Sequence, residues 1–365
     1  MIYDVAVIGG GIVGCSIAAE LAERGASVVL LERDRIAAGA SSAAAGMLAP
    51  QSEAHGPDAW FQLLLRARAE HEPLAHKLRE ETGIDTGYRK DGVLRVAISE
   101  GEREELRERA AWQRAAGLRA EWLEPAEARE LEPALSPALQ GALWCPDEAQ
   151  VHSPRLTQAL ALLATRMGAT IREGAPATSL ESGAVCTPSE RISVGAIVLA
   201  AGVWSGQIQA NLPLEPVKGQ IVSGILSPAA APTKIVWGAN AYMVPKADGQ
   251  LLVGATEEPG NYDTRPTLGA MSRLIASAAH LVPSLRDMPL NTAWAGLRPA
   301  LPDRKPALGQ LGDRLFVAVG HYRNGILLGP LTGKIMADLV LEGRAHEDLS
   351  PYRPDRFALE PALTG

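Results

Sequence analysis

The sequence has no run of basic residues. Its 365 residues carry 35 Lys and Arg against 42 Asp and Glu, a formal net charge of −7, and the sequence pI is about 5.6. Nothing in it could neutralise a polyphosphate backbone, so nucleic acid is not an expected partner. Cysteine is scarce. Cys15, Cys145 and Cys186 are the three present, far apart and without a C-x-x-C pair. A disulfide framework or zinc site is not expected, no metal ligands are assigned, and a reducing cytoplasm fits best. Long apolar runs are missing too. The longest, GILLGPLTGKIMADLVL, is broken by Lys334 and Asp338, so no membrane span or membrane partner is expected. The chain enters IYDVAVIGGG directly, with no basic segment or cleavage site ahead of it, so no signal peptide is expected. Internal repeats and low-complexity arrays are also lacking.

What is present is ordinary globular material, 47% hydrophobic and 21% charged, in a length that suggests two domains. Residues 2–8, IYDVAVI, read as a buried parallel strand, roughly 11–24 as a helix closed by Gly25, and SVVLLE at 27–32 as the next strand, a compact βαβ unit. The small, uncharged stretch 37–50 could be a linker, but Met47 and Leu48 favour a packed segment approaching something closely. Residues 58–82 and 99–117 have helical periodicity, and EGEREELRERAAWQR reads as a solvated helix face. A helix at 156–169, a strand ATIREG and a buried strand at 192–202 return to α/β texture. Residues 215–260 read as short strands with a hairpin at the ADG turn. RLFVAVG at 314–320 is again a buried strand, followed by a helix over roughly 324–342.

The α/β texture therefore lies in separated pieces with antiparallel texture between them. The expected fold is α/β, a Rossmann-type domain interleaved with an antiparallel-sheet substrate domain. The first would comprise 1–48, 151–214 and 300–345, the second 49–150 and 215–299, and 346–365 would be a C-terminal tail.

Gly9-Gly10-Gly11-Ile12-Val13-Gly14 satisfies G-x-G-x-x-G in the context that gives the motif meaning. It follows a strand and opens a helix, and Glu32 ends the next strand roughly 20 residues on. Gly9 permits the tight turn, Gly11 lets a pyrophosphate approach the backbone, and Gly14 lets helix and strand pack closely. The helix end supplies free N–H groups and a positive dipole. Glu32 suits a ribose hydroxyl and disfavours a 2′-phosphate, so NADP is not expected; the motif alone does not choose between NAD and FAD. A second glycine-bracketed turn, GHYRNGILLGP, stands near the other end of the chain. Arg298 lies in the apolar frame of Trp294-Ala-Gly-Leu-Arg-Pro-Ala. It is an internal ion pair, a surface group or a planar fork for a carboxylate. Tyr242, in AYMVP, is either a half-buried strand tyrosine or a hydroxyl for the same site.

GASSAAAGMLAPQSE, VWSG after VLAAG, WAGLRPALPD and GHYRNGILLGPLTG resemble the D-amino-acid-oxidase superfamily of FAD-dependent oxidoreductases. Within it they most resemble the glycine oxidase family of thiamine biosynthesis. The resemblance covers nearly the whole chain in order.

It implies FAD bound extended between the two glycine turns. Gly9, Gly11, Ile12, Val13 and Gly14 would flank the pyrophosphate, and Glu32, with Arg33 beside it, the adenosine ribose. Ser41 and Ser42 would contact the phosphate region, and Ala45, Gly46 and Met47 the isoalloxazine. Ala177, in the strand after the 156–169 helix, would meet the adenine, and Gly202 would lie along the cofactor. His321, Tyr322, Arg323, Asn324, Gly325, Ile326 and Leu327 would form the far end, their N–H groups aimed at the flavin pyrimidine edge. The cysteine through which related sarcosine oxidases attach flavin has no counterpart near WAGLRPAL, so FAD should be non-covalent.

The resemblance makes Arg298 the substrate-carboxylate anchor, with Tyr242 on the same carboxylate and Arg323 at the pocket. It implies a small amino acid and O2 as substrates, with hydride transfer, H2O2, glyoxylate and ammonia following. It also implies a cytoplasmic homo-oligomer, with a tetramer as one form, and handover of imine to thiazole synthase. Glu257 and Glu258 depart from the pattern, because the family more often has an apolar side chain at the first of these positions. Alternatives are a sarcosine, D-alanine or D-proline oxidase, a D-amino-acid dehydrogenase, or a flavin-binding regulator without turnover.

Overall fold

The computed structural model describes residues 2–209 and 212–357; residue 1, residues 210–211 of the expected 151–214 piece and residues 358–365 of the expected tail lie outside them. Among the described residues the strands form an eight-stranded sheet, a nine-stranded sheet and a two-stranded ribbon.

The eight-stranded sheet has a parallel centre. Leu315–Val319, Arg191–Leu199, Tyr3–Ile8, Val28–Leu31 and Thr170–Arg172 follow one another across it, all parallel. Ala307–Gly312 adds an antiparallel edge, and a hairpin of Ser179–Glu181 and Ala184–Cys186 extends from Arg191–Leu199. Val28–Leu31 is buried throughout, as an unbroken VVLL covered on both faces must be. The register sets Ile8 opposite Leu31 and Leu199, and Leu199 opposite Val317. Three strands thus run out at one edge, where the chain turns at Gly9, Gly202 and Gly320.

Helix Ile12–Glu23 buries ten of its twelve residues, because it lies between the sheet and the last helix, Gly325–Glu342. These two helices approach through backbone. A Cβ on Gly333 would stand 2.8 Å from the Ser16 carbonyl oxygen, and one on Gly329 2.7 Å from Ile12 Cγ1. Helices Ser153–Arg166 and Ala59–Thr82 complete the layer, joining Leu64, Leu78, Leu156 and Leu160 to one core with Ile17 and Leu331. Each such buried leucine contributes roughly 1.5–3 kcal/mol.

The other sheet is antiparallel except for one pair, Ile235–Trp237 running parallel to Val93–Arg95. Its long members, Glu215–Ile225 and Leu290–Ala300, pair over almost their whole length, and Tyr242–Pro245 and Gln250–Gly254 form the expected hairpin. The ribbon joins Met47–Leu48 to Ala149–Gln150.

One local expectation is corrected and another is refined. Ala177 lies in the irregular segment between Thr170–Arg172 and Ser179–Glu181, not in a strand; Gly174 and Pro176 interrupt the extension there. The charged helix, Glu100–Ala115, has the expected solvated face but also buries Arg109 and Gln113. Arg109 Nη1 donates to the carbonyls of Ser52 and Ala54 at 3.0 and 2.8 Å, and Gln113 Nε2 to that of Gln51 at 2.7 Å. Partners so distant in sequence leave no mark on the local periodicity.

Candidate active site

The glycine turn is built as its motif requires. Gly9 has φ +114, and a Cβ on Gly14 would lie 1.9 Å from the Gly9 carbonyl oxygen. Ser41, buried in the short helix Ala40–Ala43, accepts a hydrogen bond from the Ile12 N–H at 2.9 Å. Glu32 accepts from the Gly10 N–H at 2.6 Å through one oxygen and from the Asp34 N–H at 2.8 Å through the other. Each oxygen keeps a lone pair for a further donor. Backbone on the turns faces open space: a Cβ on Gly202 would meet nothing within 4 Å, and one on Gly325 only His321 Cβ at 3.7 Å. These features fit a dinucleotide laid along the sheet edge, with its pyrophosphate at the helix N-terminus.

Ala45 and Gly46 are buried beside half-buried Met47. Gly46 has φ +82 and sits against the Val151 carbonyl. Lys246, at the hairpin turn, donates to the Ala45 carbonyl at 2.6 Å, Gln150 Oε1 at 3.0 Å and the Val151 carbonyl at 3.0 Å. The Trp294 indole N–H donates to the Ala43 carbonyl at 3.1 Å. The 43–47 segment is thus tied to the second sheet at two points. Ser42 is exposed and bonds the Gly39 carbonyl at 2.9 Å. Arg33 lies over the Trp204 ring at 4.0 Å.

At the late turn, Tyr322–Asn324 form one 3₁₀ turn before the helix starts at Gly325. The His321 ring points inward to Thr332 Oγ1 at 3.0 Å, and burial lowers its pKa to about 4. Asn324, Ile326 and Leu327 are buried, and the Leu327 carbonyl bonds His71 Nε2 at 2.9 Å.

The substrate candidates converge beside these segments. Tyr242 is buried and packs in one cluster with Ala45, Trp237 and Ile221, against Met47 and Trp294. A Cβ on Gly254 would come within 2.5 Å of its hydroxyl, so the ring lies flat on glycine backbone. Burial raises the Tyr242 pKa, while nearby Arg298 and Arg323 pull against it. Arg298 lies over Gly219, where a Cβ would stand 2.3 Å from Nη1. Its Nη1 donates to the Thr256 carbonyl at 3.0 Å, and it forms no ion pair among the described residues.

Arg323 differs from Arg298 in this respect. It bridges Glu53 at 3.2 Å and Glu257 at 3.5 Å. Burial works to lower its pKa, but Glu53, Tyr322 and Glu257 outweigh that and raise it. The Tyr322 hydroxyl donates to Glu257 Oε1. Glu258 instead accepts from Gln220 Nε2 at 2.6 Å and Thr256 Oγ1 at 2.7 Å.

The family model described as DAO, FAD dependent oxidoreductase, matches residues 4–339. The chain belongs to this family. This FAD-dependent oxidoreductase is 40% identical over 362 residues to a glycine oxidase of Geobacillus kaustophilus, covering 96% of each chain. It is 35% identical to the bifunctional protein ThiO/ThiG of Trichormus variabilis, covering 100% of this chain and 56% of that one. The crystal structure of glycine oxidase from Geobacillus kaustophilus superimposes with a TM-score of 0.94, covering 97% of this oxidoreductase and 99% of that chain. The expected FAD-binding fold is thereby shown.

Sequence reasoning missed Lys246, Glu53 and His71. Glu53 carried a signal, as the first charge after the uncharged stretch 36–52. Lys246 and His71 carried none, since a lysine at a hairpin turn and a histidine in a charged helix are usually solvated.

Proposed function

We propose that this FAD-dependent oxidoreductase oxidises glycine to its imine, which hydrolyses to glyoxylate and ammonia or passes to thiazole assembly in thiamine biosynthesis. The observation that carries this reading is Arg298. It is a guanidinium without an acidic partner among the described residues, held over Gly219 backbone beside the buried Tyr242 hydroxyl. Such a fork binds a carboxylate bidentately. Tyr242 stays protonated, because burial raises its pKa, and so serves as a donor to the same carboxylate. Trp237 and Met47 contribute apolar walls that exclude water.

Bound FAD would supply the two-electron acceptor for the hydride leaving substrate Cα, with O2 as the final oxidant and H2O2 as its product. The chain's own task is orientation. It holds Cα at the reactive face while the amine stands neutral, so no general base is required. The pieces 1–48, 151–214 and 300–345 form the FAD-binding part, 49–150 and 215–299 the substrate part, and 346–365 a C-terminal tail. The reading also includes non-covalent FAD and a cytoplasmic homo-oligomer. Support for non-covalent FAD comes from Cys15, which is buried in the first helix, and from the strand Leu290–Ala300, which contains no cysteine. Fusion of the matching region to a second part in ThiO/ThiG supports handover to thiazole synthase.

A peroxide-coupled screen of glycine, sarcosine, D-alanine and D-proline, with Arg298→Ala as control, tests the proposal. Peroxide should appear with glycine, and the apparent affinity should fall sharply in the variant. No peroxide from any of the four would contradict it.

A further inference from the structure

Arg323 sits between two carboxylates contributed by distant parts of the chain. Glu53 comes from the short helix Pro50–Glu53 and Glu257 from the segment after strand Gln250–Gly254. The contacts are 3.2 Å to Glu53 and 3.5 Å to Glu257. Glu257 also takes the Tyr322 hydroxyl hydrogen, and the Tyr322 ring carries the Arg304 guanidinium at 4.9 Å. Glu257 is 51% exposed and Arg323 32% exposed, so the bridge reaches solvent, while Arg323 also acts on the buried Tyr242. It also stands close to the carboxylate fork: Tyr242 and Tyr322 each sense both Arg298 and Arg323, and Arg298 is bonded to Thr256, the residue before Glu257.

The charges decide what this wall accepts. One guanidinium bridges both carboxylates, but Glu53 is also acted on by Arg95, which lies over the same Trp237 ring as Arg323, so among the described residues Glu257 is the carboxylate that depends on Arg323 and Tyr322 alone. A ligand carboxylate on Arg298 neutralises the fork. A second ligand carboxylate would find Arg323 already doubly paired and Glu257 facing it. Like charges repel, the more so where water is partly excluded, and discrimination of this sort rests on the repulsive group as much as on the attractive one.

We propose that Glu257 is a specificity-determining residue: paired with Arg323 and Tyr322, it restricts the site to amines bearing a single carboxylate and rejects those with a second anionic group. The inference rests on the reading of Arg298 as carboxylate anchor. Replacing Glu257 by glutamine keeps the shape, removes its negative charge and frees one edge of Arg323 for the second carboxylate.

The test uses the FAD-loaded full chain and two readouts. The first is the ratio of kcat/KM for iminodiacetate, which is glycine carrying a second carboxylate, to that for glycine. The second needs no turnover: the Kd ratio of malonate to acetate, read from the change in flavin absorbance. In Glu257→Gln the iminodiacetate-to-glycine ratio should rise about tenfold or more, and malonate should tighten relative to acetate by a similar factor. Tyr322→Phe, which removes the hydrogen bond and keeps the charge, should move both ratios much less. Ratios in Glu257→Gln within twofold of the unmodified protein, or an equal change in Tyr322→Phe, would overturn the proposal. Failure of the underlying reading looks different: Arg298→Ala would then bind acetate as well as the unmodified protein does.

Discussion

Gly219 shows how a single missing methyl shapes the site. The Arg298 guanidinium occupies the space a Cβ would take, 2.3–2.5 Å from its Nη1, Nη2 and Cζ. In Gly219→Ala the fork must move. Because it is the far end of a flexible side chain, the fold should barely respond, with stability changing by less than about 1 kcal/mol. KM for glycine should rise while the thermal midpoint holds; a normal KM would mean that the fork's position over Gly219 does not matter. Arg298→Ala is harsher. Hydrogen bonds to charged groups are worth about 1.5–3 kcal/mol each, so KM should rise by about 10- to 100-fold while FAD is retained, as KM and flavin content of the purified variant will report. At this scale the residue types were legible and their partners were not. Arg298 stands out in WAGLRPAL because an apolar frame isolates it. Nothing near Arg323 announces that Glu53, 270 positions away, will occupy it.

The elements expected to line the cofactor edge are held by buried polar contacts. His71, on helix Ala59–Thr82, grips the Leu327 carbonyl in the first turn of the last helix. His321 grips Thr332 one layer over. Burial lowers both pKa values from 6.5 to about 4. In the unfolded chain these imidazoles bind protons near pH 6.5, in the native protein only near pH 4, so between those values the unfolded state carries more protons. Stability therefore falls as pH drops from 6.5 to 4, by on the order of 3 kcal/mol per histidine. Urea unfolding at pH 7 and pH 4.5 checks this, and His71→Gln should lessen the difference by removing one of the two protons; an unchanged slope would reject the assignment. Lys246 acts on the other end, fastening the hairpin turn to Ala45, ahead of strand Met47–Leu48, and to Gln150 and Val151. Lys246→Met should loosen that segment and speed FAD loss on dilution, measured as release of flavin fluorescence, while the hairpin itself survives. Elements were the most legible scale. The βαβ start, the 241–256 hairpin and the last helix follow from periodicity and glycine punctuation, because both are local. Ala177 was misplaced although Gly174 and Pro176, both local strand breakers, mark the end of the extension before it.

Over the whole molecule, the two glycine turns lie more than 300 residues apart in sequence yet at one edge of one sheet. Parallel pairing brings Tyr3–Ile8 and Leu315–Val319 to either side of Arg191–Leu199. A cofactor spanning both turns should therefore stabilise the fold as a unit. At a thousandfold excess over its Kd, FAD adds about 4 kcal/mol. Removing it should lower Tm by several degrees, and re-adding it should restore the loss, as thermal unfolding of the two forms will show. The Rossmann half of this architecture was readable from G-x-G-x-x-G with Glu32 behind it. The way the second sheet closes over the cofactor edge was not, because it depends on Trp294 reaching Ala43 and Lys246 reaching Ala45, contacts across 251 and 201 positions. The measurement that bears most directly on the proposed chemistry is anaerobic mixing of the FAD-loaded protein with glycine. Glycine should bleach the bound flavin, and Arg298→Ala should need a far higher concentration to do so. A flavin that stays coloured with glycine, or a variant that bleaches at the same concentration, would contradict both the substrate and its anchor.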